Sequence, residues 1–207
     1  MESNITLKKG EVQLKLVKDA IVERRTSKKS LDNPVEKKRL LELLEQASHA
    51  PYHKEEPWYA KIITTDEEKE FLYSLIIAFY KEEGIIHDEE TEQKFTVKVD
   101  RLIKKAPATV LFAYKQVPTS ERLNSDASQA TAALIQNFSL LLDAHDLVGF
   151  WASSPFVLNE TFTQRLGFPQ GSILVANYRV GYKDPSLATR PRKRRPVNEW
   201  VTDLEIN

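Results

Sequence analysis

Cysteine is absent from this chain of 207 residues, and its absence removes several kinds of chemistry at once. Disulfides, thiolate nucleophiles and cysteine-held zinc or iron–sulfur sites are excluded. A cysteine-free chain suits a reducing compartment, so a cytoplasmic location is expected. Net charge is absent too, because 30 Lys and Arg balance 30 Asp and Glu. A surface built throughout to hold nucleic acid carries a basic excess, which this chain lacks. The opening residues, MESNITLKKGEVQLKLVKDA, contain no apolar core and do not read as a signal peptide. No apolar run is long enough for a membrane-spanning helix; SLIIAFY is far too short. Neither GxGxxG nor GxxxxGK[ST] occurs, so the glycine-rich phosphate loops of dinucleotide-binding and P-loop folds are missing. GFWASSP lacks the flanking glycines of a nucleophile elbow and has no evident base beside it.

What is present is an ordinary globular pattern. A helix is expected from about Lys15 to the ERR at Glu23–Arg25. Asn33-Pro34 then opens a second helix, with proline at the first helical position and Leu40, Leu43, Leu44 and Ala47 as its buried stripe. WYAKIITT reads as a strand, and Thr65-Asp66 caps a long helix that Gly84 stops. Residues 88–105 read as a charged amphipathic helix. ATVLFAYK is apolar at nearly every position and reads as a strand buried on both faces. Ser125-Asp126 is expected to cap the most apolar helix, whose Ala127, Ala130, Ala132 and Ala133 permit close packing. DLVGFWASS reads as a short strand or loop, LNETFTQRLGFP as a short helix, and SILVANYRVGY as a strong strand. The order predicts an α+β protein with a small central sheet covered by helices.

Two basic clusters stand out against the neutral background. ERRTSKKS places Arg24, Arg25, Thr26, Ser27, Lys28 and Lys29 at a helix end, and RPRKRRP lies near the other end of the chain. Arginine grips phosphate bidentately, and hydroxyls and backbone N–H groups complete a cradle, so together the clusters suit a multiply charged anion. Each alone reads as a solvated helix end or a polar tail, which is what spacing by itself favours. The tail also reads as a nucleic-acid contact. His49, His53, Glu55 and Glu56 lack metal-ligand spacing, so no metal site is expected, and a loop group touching a ligand is the better reading.

Four segments in order resemble the FMN-dependent nitroreductase family: the helix ending in Arg24-Arg25-Thr26, the loop and strand APYHKEEPWYAKII, the helix and turn LIQNFSLLLDAHDLVGFWASS, and the closing VGYKDPSLATRPRKRRP. The likeness runs over roughly residues 15–203. Many members carry an Asn-bearing loop before Pro-Trp. Here Tyr52–Glu56 stands in that place, which is similar to a smaller branch with a His in the loop. The resemblance implies a nitroreductase-like α+β fold with a small, mostly antiparallel sheet and an intertwined homodimer with FMN at the interface. It implies a single domain over 1–207, with residues 1–14 an N-terminal extension and 183–207 a tail wrapping the partner. It implies that Arg24, Arg25 and Thr26 hold the flavin phosphate, joined by Arg192 and Arg194. Trp151, Ala152 and Ser153 would lie along the isoalloxazine, with His53 and Gln136 near its edge. The activity implied is transfer of hydride from NADH or NADPH through the flavin to a small acceptor such as a nitroaromatic or quinone, with neither nucleic acid nor membrane as partner. Two other readings stand beside it: a nucleic-acid-binding module using the basic tail, and a flavin-binding protein without reductase activity.

Overall fold

The computed structural model describes residues 17–188 and 192–204. Four strands form one antiparallel sheet: β1 (Trp58–Ile63), β2 (Ala108–Lys115), β3 (Leu147–Ala152) and β4 (Ser172–Tyr182), in the order β1-β2-β4-β3. Six α-helices surround it: α1 (Val17–Glu23), α2 (Lys37–Ala47), α3 (Asp66–Glu82), α4 (Glu89–Val99), α5 (Glu121–Ala144) and α6 (Glu160–Arg165). The expected α+β class and helix-flanked antiparallel sheet are therefore present. The proposed N-terminal extension and Lys15 lie outside the described residues, as do 189–191 and 205–207 of the tail.

The sheet has two buried faces. One packs Phe112, Phe138 and Tyr178 with Leu40 and Leu43 of α2 and Leu134 of α5. Phe138 meets Phe112 at 5.6 Å and Tyr178 at 5.7 Å between ring centroids, both edge-on as aromatic quadrupoles prefer. The other face packs Leu111 and Leu174 with Leu72, Ile76 and Phe79 of α3, and with Phe156 and Phe162 around α6. Being covered on both sides, β2 is buried over seven of its eight residues, as its unbroken apolar run predicts. Between Phe112 and Ala113 the β2–β4 register slips.

Element ends differ from the sequence reading in instructive places. Pro34 is not the first residue of α2; the helix starts at Lys37, and Glu36 before it is extended, with φ −65° and ψ 132°. Burying Val35 at 2% exposure holds this stretch out of the helix. The long helix α5 begins at Glu121, not after Ser125-Asp126: Ser120 is its cap, with Oγ accepting from Leu123 N at 3.3 Å. The helix expected over 88–105 is α-helical only to Val99, then widens into a π-helical turn over Asp100–Lys104 that turns Ile103 fully inward. Thr65 caps α3 as expected, in a reciprocal box with Glu68. DLVGFWASS resolves as strand β3.

Candidate functional site

The first basic cluster begins where α1 runs out. Arg24 N donates to Ala20 O at 3.0 Å in the last turn. The Arg25 guanidinium folds back on the helix end, its Nη1 donating to Val22 O at 2.6 Å and Arg24 O at 3.1 Å. A cation there satisfies carbonyls that the helix leaves unpaired. Its Nε is buried and, among the described residues, has no hydrogen-bond partner.

Beyond the helix the chain straightens and lies against the sheet. Thr26 bridges Gly149 of β3 in parallel fashion, and Ser27 N donates to Gly149 O at 3.1 Å. Ser27 Oγ then closes a small turn, donating to Lys29 O at 2.6 Å. Leu31 N donates to Tyr182 O at 3.0 Å, pinning the far end to β4. Two glycines make room here, Gly149 for the close approach of β3 to β4 and Gly181 for the segment itself. A Cβ on Gly149 would fall 2.0 Å from Arg179 O, and one on Gly181 would fall 2.3 Å from Ser30 Oγ.

This tie brings two of the expected segments together. Gly149 is two residues from Trp151, which pairs with Tyr178 of β4. The Trp151 indole is 41% exposed, and its Nε1 donates to Val175 O at 3.1 Å, which fixes the ring plane. Ala152 is half-buried and Ser153 exposed. Tyr178 donates its hydroxyl to Ser139 Oγ at 3.0 Å. Burial raises the Tyr178 phenol above its ordinary value, while the Ser139 bond and the charge of Arg24 pull it back. Half-buried Arg24 is therefore electrostatically coupled to the register partner of Trp151.

Other expected residues lie apart. His53 is exposed in the loop after α2, its ring 5.3 Å from that of Tyr52. Gln136 is exposed on α5, while its neighbour Asn137 donates to Ala47 O at 3.3 Å. Arg192 and Arg194 are exposed in the tail, and among the described residues no hydrogen bond or ion pair ties them to Arg24 or Thr26. No group of three or more His, Asp or Glu among the described residues is placed to hold a metal ion. No helix of the described residues is long and apolar enough to cross a membrane.

Sequence reasoning missed three residues that shape the site. Gly149 carried a readable signal, since glycine inside a strand pattern marks close backbone approach. Arg179 carried another, as a charge in the otherwise apolar run SILVANYRVGY. Ser30 carried none. The assembled site presents cations and hydroxyls beside a flat, immobilised indole. Such a set can hold a phosphate-bearing aromatic molecule, charge at one end and ring at the other.

Comparison with known proteins bears on this geometry. A model of the Nitroreductase family matches residues 21–182. A Bacillus subtilis (strain 168) protein provisionally named NAD(P)H nitroreductase YfhC is 28% identical over 193 residues, covering 93% of this chain and 96% of that protein. The crystal structure of a nitroreductase-like family protein from Bacillus cereus is similar at TM-score 0.81 and 27% identity, over 94% of this chain and 99% of that one. A Bacteroides fragilis nitroreductase with bound FMN shares the fold at TM-score 0.69 and 18% identity, over 91% and 98% of the two chains.

Proposed function

The chain belongs to the Nitroreductase family, and from that premise we propose an FMN-dependent oxidoreductase that uses NADH or NADPH to reduce a small acceptor such as a nitroaromatic or a quinone. The observation that carries the reading is the tie of Thr26 and Ser27 to Gly149, which sets the first basic cluster beside Trp151. The donor set suits FMN: arginines and hydroxyls for the phosphate, and a buried Arg25 Nε that finds no acceptor among the described residues. Arg24, Arg25 and Thr26 would hold the phosphate, joined by Arg192 and Arg194. Trp151, Ala152 and Ser153 would lie along the isoalloxazine, with His53 and Gln136 toward its edge. Bound FMN supplies the redox chemistry, taking hydride from NAD(P)H and passing electrons on to the acceptor. The chain's own part is to bind, orient and hold charge near the ring.

A homodimer with the site between its copies fits the same surface. In one protomer Trp151 faces solvent, and so do Val197, Trp200, Val201 and Leu204 of the tail. A tail with four apolar side chains and nothing to bury them against suits a segment that wraps a second copy. The unit would be one domain over residues 1–207, acting in the cytoplasm.

Purified protein is expected to be yellow, or to become so on titration with FMN, and its flavin absorbance is expected to bleach with NADH or NADPH. A colourless protein that takes up no flavin overturns the reading. Flavin that binds but never bleaches identifies a binding protein without reductase activity.

A further inference from the structure

Arg179 belongs to none of the segments that carry the proposed site, yet its side chain holds one of the two points where the first basic cluster is anchored, and its backbone lies close to the other. Its side chain is 7% exposed. Among the described residues no carboxylate lies within ion-pair distance of it, although the charge of Asp32 is felt there. A buried cation without a direct counter-charge is costly, so its hydrogen bonds need a reason. Nη1 donates to Ser30 Oγ at 3.0 Å, and Nη2 donates to Lys105 O at 3.1 Å. One rigid fork thus joins the segment after the basic cluster to the end of the helical excursion between β1 and β2.

The other anchor, Gly149, packs closely against the backbone at Arg179 on β4. The Arg179 carbonyl oxygen occupies the place where a Cβ on Gly149 would lie, 2.0 Å away. Gly149 O is in turn the acceptor for Ser27 N. Ser30 rests on Gly181, with its Cβ only 2.6 Å from where a Gly181 Cβ would be. Residues 27–30 therefore span two fixed points, Ser27 on Gly149 and Ser30 under the Arg179 guanidinium, and Lys28 and Lys29 lie between them.

We propose that Arg179 is a positioning residue for phosphate binding: through its hydrogen bond to Ser30 it holds the end of the Arg24–Lys29 segment in one conformation. The inference rests on the cofactor reading above. A segment bearing four cations repels itself when free, and fixing it before the anion arrives spares that ordering cost on binding. Lysine could reach one acceptor but not both, because only the guanidinium presents a planar fork.

The test compares FMN with riboflavin, which lacks the phosphate, by fluorescence-quenching titration of full-length protein. Arg179→Met is expected to lower the preference for FMN over riboflavin about tenfold, the worth of one charge-assisted hydrogen-bonded anchor. Riboflavin affinity itself should hold. Arg179→Lys is expected to recover part of the loss. Ser30→Ala removes one hydroxyl from a half-buried site, keeps the fold intact, and should lower the preference about threefold. Arg24→Ala is the control for the phosphate assignment. A wild-type protein that binds neither flavin overturns the cofactor reading and this inference with it. A wild type that prefers FMN, an Arg24→Ala that loses the preference, and Arg179→Met and Ser30→Ala that keep it overturn this inference alone. Equal losses for both flavins in Arg179→Met do so too, since they mark a general structural role.

Discussion

Replacing Gly149 with alanine tests whether β3 and the first basic cluster share one anchor. The backbone there has no unusual dihedral angle; space is what glycine supplies. A Cβ would stand 2.0 Å from Arg179 O, 2.8 Å from Tyr178 Cε1 and 3.1 Å from Arg179 C. Two of these neighbours are backbone atoms of the partner strand, so no side-chain rotation relieves the contact. Ordinary contact begins near 3.4 Å, and β3 must move away from β4 by well over an ångström to reach it. That movement strains the ladder at Gly149–Val180 and the bond from Ser27 N to Gly149 O at 3.1 Å. Losing two or three hydrogen bonds at about 1 kcal/mol each gives roughly 2–3 kcal/mol. Alanine's lower unfolded-state entropy returns less than about 1 kcal/mol. For a chain of this size the net loss of about 1–3 kcal/mol lowers Tm by about 3–10 °C. Thermal unfolding by far-UV circular dichroism, at one protein concentration for both proteins, measures it. Flavin uptake should weaken in parallel, because the anchor of Thr26 moves with β3. A variant that melts within about 2 °C of wild type and binds flavin equally well refutes the argument.

Three further outcomes follow from the same structure. Arg24→Ala should weaken FMN binding about tenfold or more while changing riboflavin binding little, because it removes a charged phosphate contact; equal losses for the two ligands refute the phosphate assignment. The His145 ring accepts at Nδ1 from Arg39 Nη2, 2.8 Å away, because a guanidinium can only donate. Burial first, and then the Arg39 charge, hold its pKa below the ordinary 6.5, against the opposing pull of Asp146 and Glu42. A folded state that resists protonation loses stability as pH falls through 6.5 toward the lower folded value, so urea melts between pH 7 and 5 should show a decline that His145→Gln lacks; parallel curves for the two proteins refute it. Ending the chain after Ala188 should give a monomer by sedimentation, and a truncated chain that still sediments as a dimer shows that the tail is not what joins the copies.

The sequence made the architecture legible wherever a local rule acts alone. Apolar runs marked the segments that became β1, β2 and β4 and left β3 as a strand or loop, and Thr65-Asp66 announced the start of α3, where the structure adds the reciprocal bond from Glu68. It was less legible where packing overrides local signals. Pro34 looked like a helix start, but burial of Val35 keeps the chain extended for two more residues. Ser125-Asp126 looked like a cap, but Ser120 offers the same chemistry earlier, and the chain gains more than a turn of helix by using it. The site divides the same way. Arg24–Thr26 stood out by composition and Trp151–Ser153 through the family resemblance, yet nothing local says that they meet. Their meeting depends on a parallel bridge between residues far apart in the chain and on the missing side chain of Gly149. The role of Arg179 was hidden for the same reason, since its partners Ser30 and Lys105 are distant in sequence.

The two basic clusters, similar as text, are physically unlike. The first is fixed before any ligand arrives: Thr26 and Ser27 on β3, Ser30 under Arg179, Leu31 on β4. The second, Arg192–Arg195, is exposed throughout. Ordering a chain segment costs about 1–2 kcal/mol per residue in backbone entropy. Four tail residues held on a single phosphate would consume most of what their charges gain, so something else must order them. The apolar side chains immediately after them are suited to it. Val197, Trp200 and Val201 lie in and around a short 3-10 turn and are 53–63% exposed. Burying each contributes roughly 1.5–3 kcal/mol, comparable to the cost of ordering the arginines. In the proposed dimer, seating the tail on the partner and bringing Arg192 and Arg194 to the phosphate are therefore one event. On that proposal the anchored cluster would supply affinity in each protomer alone and the tail only through association, so flavin binding and dimerisation would stabilise one another.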